Sequence, residues 1–168
     1  MQRSLTTLNS IQQKFIDLIY VQKKTFVDAS ILMDEKIEVI RQLNKDLESH
    51  WRPITKSFNK WKAKHIGGSF WDFNYWSITT EPRCHYCGIT QENLTLLHTL
   101  GLVNNKRATR GKTLEIDRKN PNEPYSNIQN LTYSCYWCNN AKTDTFTEEE
   151  FLIVGEAISK IWKSRQIY

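Results

Sequence analysis

The four cysteines of this chain fall in two pairs of one spacing, Cys84-x-x-Cys87 and Cys135-x-x-Cys138. Two thiolate pairs, each on a tight knuckle, suit a tetrahedral zinc site. Either pair alone could be a redox motif, but two pairs with no further cysteine argue against that. The N-terminal MQRSLTTLNS lacks the apolar centre and small-residue cleavage site of a secretory leader. The expected compartment is therefore cytoplasmic and reducing, where two disulfides are the weaker reading.

With 168 residues, 39% of them hydrophobic and 24% charged, the chain can bury a core as one domain, or as one domain with an appended arm. No apolar run approaches the roughly 20 residues that span a bilayer, so no membrane partner is expected. Lys and Arg number 23 against 18 acids. That excess points to a polyanion only where the cations cluster. They do: Lys106, Arg107, Arg110, Lys112, Arg118 and Lys119 crowd into residues 106–119, and Lys56, Lys60 and Lys64 form a stripe at helical spacing. Such clusters suit DNA phosphates, whose neutralisation supplies most non-specific affinity.

Residues 1–52 read as a helical arm. Leu8, Ile11, Phe15, Leu18 and Ile19 recur at helical spacing, as do Met33, Ile37, Ile40 and Leu47, with Asp28 or Ser30 as the cap of the second helix. The arm either packs on the core with a share in dimerisation or reads DNA. Residues 53–168 form the second expected domain. Pro53 suits a helix start, and Ile54, Phe58, Trp61 and His65 share a face of that helix, which Gly67-Gly68 ends. Ser69 and Asp72 then make a capping arrangement for SFWDFNYW, whose aromatics look buried.

Between the cysteine pairs the texture is strand and loop. NNKRATRGK at 104–112 is polar and basic, LEID at 114–117 a short strand, NPNEPYSN a turn-rich loop, and LTY at 131–133 a returning strand. Residues 135–143 read as a short helix. Thr147 and Glu150 form a capping box, after which Phe151, Val154, Ile158 and Ile161 give the closing helix an apolar face.

This order resembles the HNH, or ββα-metal, nucleases. The matching stretches are CHYCG at 84–88, LEIDR at 114–118, QNL at 129–131 and CYWCNNAK at 135–142. The likeness is strongest to small rare-cutting restriction enzymes of the family, and extends through HYCGIT, LLH at 96–98, PYSNIQN and GEAISKIW at 155–162, and back to SFNKWKAKH at 57–65. It implies an α+β fold: a ββα-metal core with one structural four-cysteine zinc, flanked by an N-terminal helical arm and a C-terminal helix. It also implies metal-dependent hydrolysis of double-stranded DNA, in a bacterial cell, by a homodimer on a palindromic site.

Phosphodiester cleavage must stabilise extra negative charge on phosphorus and on a departing 3′ oxygen. A hard divalent ion, magnesium or manganese, does this, and a carboxylate with an amide carbonyl supplies hard ligands for it. Asp117 and Asn139 are the candidates, brought together when the helix packs on the hairpin. The resemblance puts a general-base histidine where this chain has Arg118. Arginine, with a pKa above about 12, cannot accept a proton at neutral pH, but it can hold the scissile phosphate. The rare-cutting relatives share the Asp-Arg pair, so the change does not by itself imply a dead nuclease.

His65 is the first choice of base, through its match to a family histidine and its titration near neutrality. His98 is the runner-up, and Tyr125 is placed to reach the phosphate. His85 reads as an exposed spacer, His50 as a helix-end residue and Asn130 as a brace for the interstrand loop. Lys142 is open to either a phosphate or solvent. The expected function is sequence-specific, type II restriction-like endonuclease activity. A homing or nicking enzyme, and a zinc-stabilised DNA-binding protein that never cuts, are the alternatives.

Overall fold

Side-chain caps cut the first part of the chain into helices. The computed structural model describes residues 8–64, 68–103 and 110–167. Asn9 and Gln12 close a reciprocal capping box at the start of α1 (Ser10–Ile16), which runs on into a single wide helical turn, Asp17–Val21. Thr25, not Asp28 or Ser30, caps α2 (Phe26–Met33); Asp28 is the answering member of its box. Asp34 then adopts the left-handed region with φ of 56°. Met33 therefore closes α2 rather than opening the next helix, which is α3 (Ile37–Lys64).

α3 passes through Pro53, where a helix start was expected. Proline there removes one backbone hydrogen bond and crowds the preceding turn, at a cost of about 3 kcal/mol in a helix interior. Aromatic packing on both sides holds the helix continuous. Trp51 and Phe58 flank the proline and both meet Phe70 edge-on, at 6.2 Å and 5.4 Å between ring centroids. Phe70 opens α4 (Phe70–Thr79), whose first turn is capped by Ser69 with Asp72, as expected. His50 consequently lies inside a helix and not at its end.

The chain divides into two compact units, Met1–Ile78 and Thr79–Tyr168. The boundary expected between residues 52 and 53 falls inside α3. In the first unit the buried residues include Phe15, Ile16, Ile40, Phe58, Phe70 and Phe73. Trp61 stacks on Phe73 at 5.2 Å.

The second unit opens on the first cysteine knuckle and continues into α5 (Gln91–Thr99), where only strand and loop were expected. Thr90 caps it by accepting from the Asn93 backbone, and Leu94 and Leu97 are its buried pair. Two four-residue strands follow, β1 (Glu115–Arg118) and β2 (Leu131–Ser134), paired antiparallel with Asp117 opposite Thr132. A single tight turn, Ile128–Asn130, leads into β2. Cys135 then stands at the N-cap of α6 (Tyr136–Lys142), so the chain passes from strand through cysteine knuckle to helix without a spacer.

The unit closes with α7 (Glu148–Ser164) behind its Thr147/Glu150 capping box. α7 buries Phe151, Gly155 and Trp162, with Ile158 partly covered, while Val154 and Ile161 face out. The expected apolar face is thus rotated, because Gly155 is the point of closest approach. A Cβ on Gly155 would lie 2.4 Å from the Tyr86 carbonyl oxygen. Gly155→Ala should therefore destabilise the unit by about 1–3 kcal/mol, read from the urea midpoint, because the obstacle is backbone and cannot turn aside.

Candidate functional site

The four cysteines converge in the core of the second unit. All are buried, and their sulfur atoms lie within 4.8 Å of one another. Cys87 Sγ and Cys135 Sγ are 3.8 Å apart. That is far beyond a disulfide bond, and it matches the edge of about 3.8 Å that follows from four Zn–S bonds of about 2.3 Å in a tetrahedron. The donor set fits zinc for a second reason. Hydrogen bonds from Cys135 and Cys138 pull the Cys84 thiol well below its usual range, while hydrogen bonds with Cys135 and the other two sulfurs push Cys138 far above it. A dication favours the thiolate form of every sulfur in such a cluster, which is the form that ligates zinc.

The knuckle is tied to the hairpin by backbone. Cys84 N–H donates to the Ile89 carbonyl, Gly88 N–H to the Cys84 carbonyl, and His85 N–H to the Tyr133 carbonyl on β2, each at 2.8 Å. His85 is exposed, as expected, and its Nε2 also meets Glu148 at 2.5 Å, linking the knuckle to the first turn of α7.

Strand alternation places Glu115 and Asp117 on one face of β1. Asp117 is buried. It accepts a hydrogen bond from the Tyr86 hydroxyl at 3.1 Å and faces the Lys142 ammonium at 4.0 Å. Burial pushes its carboxyl above the usual range, with Lys142 and the Tyr86 hydroxyl pulling against that shift. Burial also holds Tyr86 far above the ordinary tyrosine value, so it stays a donor.

Lys142 is the largest departure from expectation. It touches neither solvent nor an open phosphate position: the residue is 1% exposed and donates to the Arg118 carbonyl at 2.9 Å. It thus ties α6 to the end of β1 beside Asp117. Lys142→Met should cost about 3–5 kcal/mol at neutral pH, because it leaves a buried carboxylate without its cation. The sign follows from the raised Asp117 pKa. Loss of Lys142 raises it further, so the deficit should be largest where Asp117 is ionised and should shrink as acid neutralises it. Urea unfolding of both proteins across acid and neutral pH checks this.

Asn139 lies one turn before Lys142 on α6. Its Nδ2 donates to Glu115 Oε2 at 2.7 Å. The two expected ligands therefore stand on neighbouring rungs of one strand–helix face. Asn139 meets Glu115 and Asp117 meets Lys142, with neither partner anticipated from the sequence. Tyr86 was also missed, although its place between Cys84 and Cys87 is a signal, since a side chain inside the knuckle is carried with the cysteine cluster.

Arg118, next in the chain, has partners of its own. Its guanidinium donates to Asp144 Oδ1 at 2.6 Å and to the Glu123 carbonyl at 3.3 Å, and lies 4.6 Å over the Tyr125 ring. Burial raises the Tyr125 pKa. Asp144 is 79% exposed along its side chain, so Arg118 is masked by a group at the surface. Asn130 is buried and braces the interstrand loop as expected, with Nδ2 donating to the Asn120 carbonyl and Oδ1 accepting from the Asn120 N–H.

Among the remaining candidates, His98 Nε2 bonds the Gly111 carbonyl at 3.0 Å, which makes that nitrogen the protonated one. Arg110 is ion-paired to Glu115, and Lys112 is exposed and Lys119 partly so. Lys56 and Lys60 are exposed on α3. His65, Lys106 and Arg107 lie outside the described residues. Among the described residues, no helix is long and apolar enough to cross a membrane.

No family model and no curated protein matches the chain. A solved structure does: that of PacI, described as a rare-cutting HNH restriction endonuclease that perturbs DNA. The two chains are 33% identical, with a TM-score of 0.52, over 67% of this chain and 77% of that one. A mostly helical chain with a two-stranded hairpin, a helix straight after it and a buried four-cysteine cluster at their junction has the architecture of that enzyme. Identity of that degree over that share of both chains shows common descent as well: this chain belongs to the HNH endonuclease family.

Proposed function

We propose that the chain is a sequence-specific, type II restriction-like endonuclease that hydrolyses both strands of DNA, working as a homodimer on a palindrome. The observation that carries this reading is Asp117. It is a buried carboxylate on the hairpin of a cysteine-braced ββα unit, with Arg118 next in the chain and the Asn139 amide on the adjoining helix. The similarity to PacI supports the substrate class.

A hard divalent ion, Mg²⁺ or Mn²⁺, held by Asp117 and the Asn139 carbonyl, would supply Lewis-acid stabilisation of the phosphorane charge and of the departing 3′ oxygen. The donor set fits such an ion, since both groups offer oxygen. Contact with the Glu115 carboxylate fixes the Asn139 amide with nitrogen toward that residue and oxygen away from it. Arg118 carries a permanent charge on a planar fork suited to two phosphate oxygens, and exchange of Asp144 for a phosphate frees it. It clamps and cannot act as base. His65 takes the proton of the attacking water in this reading, and His98 is the other candidate. Tyr125 holds the Arg118 guanidinium from beneath. Phosphates flanking the scissile one meet Lys106, Arg107, Lys112 and Lys119, with Lys56 and Lys60 as further contacts and Arg110 at the edge of the cluster. Two copies bring two sites to the two strands, the simple route to a double-strand cut.

Supercoiled plasmid incubated with the protein and Mg²⁺ or Mn²⁺, beside an EDTA control, tests this. Discrete linear fragments support restriction. An accumulating nicked circle assigns a nicking enzyme instead, and retarded but uncut DNA with either metal assigns a DNA-binding protein.

A further inference from the structure

Glu115 stands two residues before Asp117, on the same strand face, and joins two groups that the functional reading treats separately. We propose that Glu115 is the positioning residue of Asn139, holding its amide with Oδ1 presented for ligation, and that Arg110 clamps Glu115 for that purpose. The inference rests on the reading of Asn139 as a ligand.

An asparagine amide has a donor end and an acceptor end of nearly equal size, and only the oxygen can hold a cation. Unrestrained, the amide rotates between both senses. A carboxylate accepts and does not donate, so the 2.7 Å contact with Glu115 Oε2 admits only the sense with Nδ2 inward. Oδ1 is then held on the far side of the amide carbon.

Glu115 is itself gripped. Arg110 Nε and Nη2 reach Oε1 at 3.2 Å and 3.0 Å, and Nη2 reaches Oε2 at 2.9 Å. The guanidinium lies 4.7 Å over the ring of Tyr136, the first residue of α6. A stacked, multiply bonded arginine holds the carboxylate against α6 and prevents its swing into water. Arg110 therefore spends its charge on Glu115 in the free protein, although it belongs by sequence to the cluster that suits phosphates. Partners of this kind, one bond behind a ligand, set its orientation, and their loss costs about 10–100-fold in metal affinity or activity.

Four proteins test this: wild type, Glu115→Ala, Glu115→Gln and Asn139→Ala. The first readout is hydrogen exchange of the Asn139 side-chain amide in ¹⁵N-asparagine-labelled protein without divalent ions, its signal assigned by its loss in Asn139→Ala. The second is single-turnover cleavage at saturating DNA as Mg²⁺ is varied. Glu115→Ala should expose the Asn139 amide to fast exchange. It should also lower cleavage about 10–100-fold, with half-saturation at higher Mg²⁺ and no loss of DNA affinity in EDTA, since Arg110 is freed for phosphate. Glu115→Gln, which keeps an acceptor oxygen, should recover part of both. Wild-type exchange and wild-type Mg²⁺ dependence in Glu115→Ala would overturn the positioning role. Wild-type cleavage by Asn139→Ala would instead overturn the ligand reading. Should no protein of the set cleave, the exchange measurement still decides whether Glu115 holds Asn139.

Discussion

Exchange of Asp117 for alanine is expected to lower the cleavage rate by about a thousandfold or more while DNA binding in EDTA survives. The proposed ion contributes several kcal/mol to the developing charge at phosphorus, and each 1.36 kcal/mol is a factor of ten in rate. Asp117 is the only charged member of its two-residue ligand pair, so its loss removes most of the attraction for a hard cation. Alanine also strands the buried Lys142 ammonium, so a folding defect has to be excluded. Asp117→Asn is the milder exchange: it also leaves Lys142 without a counter-charge, but it retains the shape, an acceptor for the Tyr86 hydroxyl and an oxygen toward the ammonium, while offering the ion no charge. Both variants should be inactive in single-turnover plasmid assays, and the asparagine form should keep its helical circular dichroism. Cleavage at the wild-type rate by a folded Asp117→Asn protein would place the metal elsewhere.

Removal of zinc is the second large effect. Metal analysis should find about one zinc per chain. A strong chelator acting on the denatured equilibrium should then unfold residues 79–168 as a unit. Structural zinc in small domains contributes about 10–16 kcal/mol of apparent binding energy at neutral pH, comparable to the whole stability of a domain. The sulfurs join the knuckle at 84–87 to the β2–α6 junction at 135–138, and they sit in one core with Ile89, Leu94, Leu97, Phe151 and Trp162. Without the metal, four thiols in that core repel or protonate unequally, and α6 loses the anchor that sets Asn139 and Lys142 against β1. Cys138→Ser should have the same outcome. The measurement is loss of cooperative thermal unfolding for this unit, with recovery on addition of Zn²⁺ under reducing conditions. A chelated protein that kept its unfolding transition would show that the core suffices without the ion.

The elements that were legible in sequence are those whose cause is local. The turn-rich NPNEPYSN loop, the two short strands, the Cys135–Thr143 helix and the Thr147 box each rest on residues within a few positions of one another, and each occurs within a residue or two of expectation. α5 was missed because its amphipathic signal is only Leu94 and Leu97 behind a threonine cap. The face of α7 was misjudged because Gly155 carries no apolar side chain, yet it occupies the tightest contact with the knuckle. Pro53 followed a sound local rule that packing by Trp51 and Phe58 overrode.

At the site the division runs the same way. The identities of Asp117, Arg118 and Asn139 come from a motif, so sequence alone carried them, together with the four sulfurs that brace them. Their electrostatic setting does not: Lys142, Tyr86, Glu115 and Asp144 matter through pairs that join β1 to α6, to the knuckle and to the segment after α6. By itself, then, the sequence determined the four-cysteine cage, the hairpin and the family, because ligand spacing and strand periodicity are short-range properties of a chain. Only the tertiary structure decided which charges are buried together. A lysine reads as solvated until a fold brings a carboxylate to it, and desolvation makes that pairing obligatory only after burial.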